Sequence, residues 1–308
     1  MTTPPKSPFY VGPPFHRAAV DSMRRHVAFD VEEGVHVLDC SHPDKPPLRI
    51  DHGGVPIAVA SDGRQLALLN EEEETITIIG PTTAVSFAVP EELDGAEMRG
   101  AFARGADWLW LRLEEGSDTL WLVDGKSGAV LASTEVESLG YETRLLAHPS
   151  RPLVIVESTQ PPDFGALMFV EAARGGEINV VDRLDDFEVF VEPLCLGTGG
   201  DALFIATEWD LYRYSLDAKR FEREVNANEL FDEEGAFFTR GGGGDDLVSL
   251  LWTDGEGRSR GCFFSEDLEL QPGLAIDFEE QPYGMVLYSG GVAAAPFMET
   301  TRWYRVNG

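Results

Sequence analysis

Residues 55–89 read VPIAVASDGRQLALLNEEEETITIIGPTTAVSFAV. Four apolar runs rich in Val, Ile and Leu stand here in a row, each too short for an ordinary helix. Ser61-Asp62-Gly63-Arg64 separates the first two runs, Glu71-Glu72-Glu73-Glu74 the middle two, and Gly80-Pro81-Thr82-Thr83 the last two. Such breaks suit tight turns and polar loops. The stretch therefore reads as strand, turn, strand, loop, strand, turn, strand, which is an antiparallel meander of four strands.

The same order returns along the chain. Residues 99–136 repeat it as RGAFARGA, DWLWLRL, EEGSD, TLWLVDGKSG and AVLASTEV. Further repeats run through PLVIVES, DALFIATEWD and DLVSLLW. Aligned on their second strands, the units begin near His26, Gln65, Trp108, Leu153, Ala202, Leu247 and Val292, at spacings of 39 to 49 residues. Four-stranded units at that period are the mark of a β-propeller. The expected fold is all-β: seven blades in a single domain over residues 1–308. The seventh unit stops one strand short, and residues 7–12 (SPFYVG) have no partner in their own unit. They are expected to complete the seventh blade beside 302–306, closing the ring without an open edge. Only Pro90–Met98 and Asn226–Glu234 have a helical look, and Gly241–Gly244 reads as a hairpin tip.

The turn chemistry resembles that of the WD40/YVTN-like propeller superfamily, over nearly the whole chain. Ser61-Asp62-Gly63-Arg64 resembles the turn between first and second strands, and His148-Pro149-Ser150-Arg151 is a looser version. Val123-Asp124-Gly125-Lys126-Ser127-Gly128 resembles the end of a third strand, where that family places Trp-Asp; Leu38-Asp39 and Leu216-Asp217 occupy similar positions. The repeats lack the Trp-Asp and Gly-His signatures, so the buried hydrogen-bond network of the family is expected to be missing. Trp209-Asp210 falls in the loop before a third strand instead. The resemblance implies a fold and a habit of binding partners through loops; fold alone does not set function.

Charge narrows the partners. Fifty-four acids against 24 bases leave a net charge of −30. That field repels phosphate, which disfavours nucleic acid and anionic membranes and favours a positively charged protein partner. No run reaches the roughly 18 apolar residues of a membrane span, and MTTPPKSPFY has no apolar signal core. The expectation is a cytoplasmic protein, monomeric on its own. Cys40, Cys195 and Cys262 are far apart and form no CxxC pair, against a disulfide framework or a cysteine zinc site.

Loops between second and third strands lie at the same strand ends as the linkers between units. More than half of the acids fall there with few bases, while the bases of the opposite turns roughly balance the carboxylates on that side. An acidic loop face is the expected partner surface. Its candidate contacts are Glu71, Glu72, Glu73, Glu74, Phe164, Glu208, Trp209 and Asp210, with carboxylates setting association rate and aromatics supplying contact energy. No catalytic residue, metal ligand or cofactor is expected. The sequence has no H-E-x-x-H, no G-x-S-x-G, and no lysine or helix after Gly241–Gly244 to bind phosphate. The reading is a protein-binding scaffold, one version being an inhibitor or immunity-type protein that neutralises a basic effector. The alternative is a metal-dependent hydrolase or lactonase with carboxylates in the central channel.

Overall fold

A four-stranded sheet packed on both faces needs middle strands that are apolar at successive positions, and LALLN at 66–70 is such a strand. Leu66 and Leu68 pack with Ala28, Val35 and Val37, whereas Ala67 and Leu69 turn the other way to meet Leu109 and Leu111. Side chains alternate across a strand, so one run of five serves two interfaces. WLWLRL at 108–113 does the same. Leu109, Leu111 and Leu113 face one neighbour, while Trp108 and Trp110 face Val154, Val156 and Val170 on the other.

In the computed structural model the strands run, in chain order, β1 (Tyr10–Gly12), β2 (Ala18–Val20), β3 (His26–Val31), β4 (Gly34–Asp39), β5 (Leu48–Ile50), β6 (Val55–Val59), β7 (Leu66–Asn70), β8 (Thr75–Ile79) and β9 (Ala84–Ala88). There follow β10 (Met98–Ala103), β11 (Trp108–Leu113), β12 (Thr119–Asp124), β13 (Val130–Glu135), β14 (Leu145–Ala147), β15 (Leu153–Gln160), β16 (Phe164–Ala172) and β17 (Ile178–Phe187). The rest are β18 (Val191–Leu196), β19 (Ala202–Thr207), β20 (Asp210–Ser215), β21 (Arg220–Asn226), β22 (Phe237–Gly244), β23 (Leu247–Thr253), β24 (Ser259–Ser265), β25 (Ile276–Asp277), β26 (Val286–Tyr288), β27 (Val292–Pro296) and β28 (Thr301–Arg305). The structure describes residues 8, 10–12, 18–31, 34–91, 93, 97–103, 107–113, 119–136, 144–160, 164–173, 177–187, 191–231, 237–244, 246–254, 256–283, 285–288, 290–297 and 300–306.

The strands form seven four-stranded antiparallel sheets, six of them consecutive meanders, and the fold is a seven-bladed β-propeller. The seventh sheet has the order β1-β28-β27-β26, with Tyr10 opposite Trp303, Val11 opposite Arg302 and Gly12 opposite Thr301. An N-terminal strand thus completes the last blade. Second strands begin at His26, Leu66, Trp108, Leu153, Ala202, Leu247 and Val292. The chain divides into two compact units, residues 17–191 and residues 1–16 with 192–308. Sheets one to four belong to the first and sheets five to seven to the second.

Second strands are packed on both faces, and outer strands are largely exposed, as the fifth sheet shows. All six residues of β19 are buried, whereas β21 is exposed over residues 220–224. Outer strands therefore tolerate charge, as FEREV at 221–225 shows.

Three local expectations change. Gly241–Gly244 is no hairpin tip but the end of the innermost strand β22, and Gly241 and Gly243 are buried. A Cβ on Gly241 would lie 2.3 Å from the Ser249 carbonyl oxygen, and one on Gly243 would lie 2.1 Å from Cys195 Sγ. Inner strands approach closely there, and only hydrogen fits. The helical expectation at Asn226–Glu234 reduces to one turn, α1 (Ala227–Phe231), and residues 232–234 lie outside the described residues. Over 90–98, the described residues include no helix, and Met98 opens β10.

Candidate functional site

The acidic turn of residues 17–191 is built on Asn70, the last residue of β7. Its side-chain oxygen accepts the backbone N–H groups of Glu72 (3.1 Å) and Glu73 (3.2 Å), which closes the turn. Glu71, Glu72 and Glu73 are exposed. Glu74 differs: it is partly buried, sits at φ 48°, and its carbonyl accepts the Val89 N–H at 2.9 Å. Its carboxylate accepts the Leu93 N–H at 3.4 Å. Three of the four glutamates can meet a partner, and the fourth holds the linker to the next sheet.

Glu208 and Trp209 form the tight turn between β19 and β20, in the other unit. Thr207 Oγ1 accepts the Asp210 N–H at 3.0 Å, and Asp210, the first residue of β20, accepts the Asn226 side-chain N–H at 2.7 Å. The Trp209 carbonyl accepts the Ala227 N–H (2.8 Å), and the Glu208 carbonyl accepts the Phe238 N–H (2.6 Å). This turn is braced from the linker and from the next sheet. Glu208 is exposed, and the Trp209 side chain is 40% exposed on this fixed backbone. Burial, then the Asp210 charge, raises the Tyr212 phenol well above its ordinary range, so Tyr212 stays neutral.

The next sheet adds a second anchored turn at the same strand ends. Asp254 is buried and accepts the N–H groups of Glu256 (2.9 Å) and Arg258 (2.8 Å) as well as Arg258 Nε (2.5 Å). Burial works to raise its carboxyl, but the Arg258 backbone N–H and guanidinium outweigh it and hold Asp254 below the usual carboxylate range. The arginines at this edge are engaged: Arg258 with Asp254 and Glu256, Arg302 with Glu280 at 2.9 Å. Tyr283, in the linker before β26, is 59% exposed, with its N–H on the Pro296 carbonyl at 2.9 Å. Sequence reasoning passed over Tyr283, because QPYGMV looks like any linker; its signal was an aromatic between proline and glycine in an acidic stretch.

Phe164 is not a loop residue. It opens β16 opposite Gln160, and its side chain lies outside the described residues. The expected acidic contributions of Glu32, Glu33, Glu92, Asp94, Glu114, Glu115, Asp118, Glu137, Glu142, Asp163, Glu188, Asp232, Glu233, Glu234 and Glu299 also lie outside them. The Glu71–Glu74 turn and the Glu208–Asp210 turn belong to different units. In residues 192–308 the opposite strand ends carry Asp201, Asp217, Asp246, Glu266 and Asp267 against Lys219 and Arg220. Acidity there is not confined to one edge. Exposed aromatics stand at both edges as well, Trp209 and Tyr283 at this one and Phe221, at the start of β21, at the other.

Among the described residues, no three His, Cys, Asp or Glu side chains gather as a metal-ligand group. All three cysteines are buried and free; burial pushes the Cys262 thiol up to about 12. His148 is buried, and its Nδ1 accepts the N–H groups of Ser150 (3.2 Å) and Arg151 (2.9 Å), a turn-capping role. No helix among the described residues is long and apolar enough to cross a membrane.

No family model matches the chain, and neither does any curated protein. Solved structures do. A chain in the crystal structure of a mitotic checkpoint complex superposes with a TM-score of 0.66 at 12% identity, over 100% of this chain and 98% of that one. Kuenenia stuttgartiensis hydrazine synthase gives 0.61 at 10% identity, over 99% and 97%. The likeness is one of fold. One of these structures is a checkpoint assembly and the other a synthase, so the shared backbone does not choose between binding and catalysis.

Proposed function

We propose that this chain is a non-catalytic protein-binding scaffold of the WD40/YVTN-like kind, whose acidic loop edge engages a positively charged protein. The observation that carries the reading is Trp209. A large aromatic stays exposed beside Glu208 on a turn braced by hydrogen bonds on both flanks. An aromatic held rigid at the surface loses little entropy on binding, which is the character of an interface anchor. Exposed carboxylates, Glu208 beside Trp209 and Glu71, Glu72 and Glu73 in the other unit, would speed encounter with a basic partner.

The test is an affinity capture from native lysate at low salt, with wild type, Trp209→Ala and the triple variant Glu71→Gln, Glu72→Gln, Glu73→Gln as parallel baits. A basic protein held by wild type, lost from the Trp209 variant and weakened by the triple variant supports the reading. Identical retention by all three baits would reject it.

A further inference from the structure

The strand ends opposite the acidic turns hold, in residues 17–191, a cleft of about 410 Å³. That volume lies within the range of ligand pockets, about 300–1,000 Å³. Trp108 at the start of β11 and Pro152 before β15 supply apolar walls, and Val181 of β17 closes one side. Glu171 and Asn179 supply the polar lining and stand directly opposite each other across β16 and β17. Neither side chain has a hydrogen-bond partner or counter-ion among the described residues.

The chemistry selects an occupant. Among the described residues, no lysine, arginine or histidine lines the cleft, and a net charge of −30 repels anions. A purely apolar ligand would strip water from the Glu171 carboxylate and return nothing. A cation answers both the carboxylate and the indole. Arginine fits better than lysine, because its planar, weakly hydrated guanidinium stacks on an aromatic wall while its N–H fork meets a carboxylate.

We propose that this cleft is a guanidinium site that takes one arginine side chain of a protein partner, stacked on Trp108 and hydrogen-bonded to Glu171 and the Asn179 carboxamide oxygen. The site involves neither Trp209 nor the acidic turns, and it stands if that reading fails.

The test uses a monocation, because a poly-basic peptide would bind this acidic surface anywhere. N-acetyl-arginine amide is titrated into the full chain at 0.15 M salt, a level that screens charges beyond about 8 Å, and the Trp108 indole N–H resonance is followed, assigned by its loss in Trp108→Phe. A single side chain should give a saturable shift with Kd in the millimolar range. The neutral N-acetyl-citrulline amide, of the same shape, should give no saturable shift. In Glu171→Gln, affinity should fall at least about tenfold, as expected for losing a charge-assisted pair. No saturable shift with arginine, an equal response to citrulline, or unchanged affinity in Glu171→Gln would overturn the proposal. Should Glu171→Gln alter the spectrum beyond the cleft, the arginine–citrulline comparison on wild type decides alone.

Discussion

At the position where the resembling family places its Trp-Asp, Asp124 ends β12 and turns its carboxylate on its own loop. It accepts the Ser127 hydroxyl at 2.8 Å and the N–H groups of Ser127 (2.7 Å) and Lys126 (3.1 Å), and the Ser127 bonds hold its carboxyl below the ordinary range. Asp39 closes its turn likewise, accepting the Ser41 N–H at 3.0 Å and meeting His42 Nδ1 at 2.8 Å. Local Asp-capped turns thus do the punctuating. The Asp124 turn ends at Gly128, at φ 73°, where a Cβ would lie 2.4 Å from the Phe87 ring of the neighbouring sheet. Gly128→Ala should cost about 1–3 kcal/mol in chemical denaturation, whereas Gly273→Ala, facing open space, should cost nothing measurable. Equal effects would place the constraint elsewhere. Asp254 carries a pH signature. Its folded carboxyl lies below the unfolded value, about 3.9, so its charge contributes stability above that value and loses it as pH falls through the folded one. Asn at this position keeps an acceptor but no charge. The stability gap between wild type and Asp254→Asn should therefore be full near pH 7 and close below about pH 4; a gap that persists in acid would assign it to packing instead.

Strands follow from the same economy of burial. Middle strands announce themselves because both faces are packed, and DWLWLRL could hardly be anything else. Outer strands are less legible, since VLASTE and FEREV carry the mixed pattern of any exposed segment. Gly241–Gly244 misled because a glycine run reads as a turn, while its cause is a tertiary approach to Ser249 and Cys195 that no local pattern encodes. Phe164 misled through its neighbours: TQPPDFG suggests a long loop, yet Phe164 already pairs with Gln160. The Trp209 turn was legible as a loop, but its bracing comes from Ala227 and Phe238, 18 and 30 positions from the carbonyls they reach, which sequence does not display. Position within a sheet should govern mutational cost. Trp110→Ala, in a second strand and fully buried, should cost about 3–5 kcal/mol. Leu131→Lys, 44% exposed in outer strand β13, should stay within about 0.5 kcal/mol. Similar losses at both positions in urea unfolding would contradict this contrast between second and outer strands.

Across the whole chain, the repeat period made seven units countable, and the unmatched first strand and incomplete last unit pointed to each other. The charge was countable too, but its placement was not, because linear order says which strand end a loop occupies and not which carboxylates are spent on capping and ion pairs. The central claim about architecture is that β1 and β28 lie side by side in one sheet, with Val11 opposite Arg302. Paired substitutions Val11→Cys and Arg302→Cys test this directly, since facing strand positions fall within reach of a disulfide and the native cysteines are buried. Oxidation followed by peptide mass analysis should find positions 11 and 302 joined, and should find no link when Arg302→Cys is replaced by Arg305→Cys, about 10 Å further along the strand. Absence of the first link, or equal formation of both, would contradict the closure.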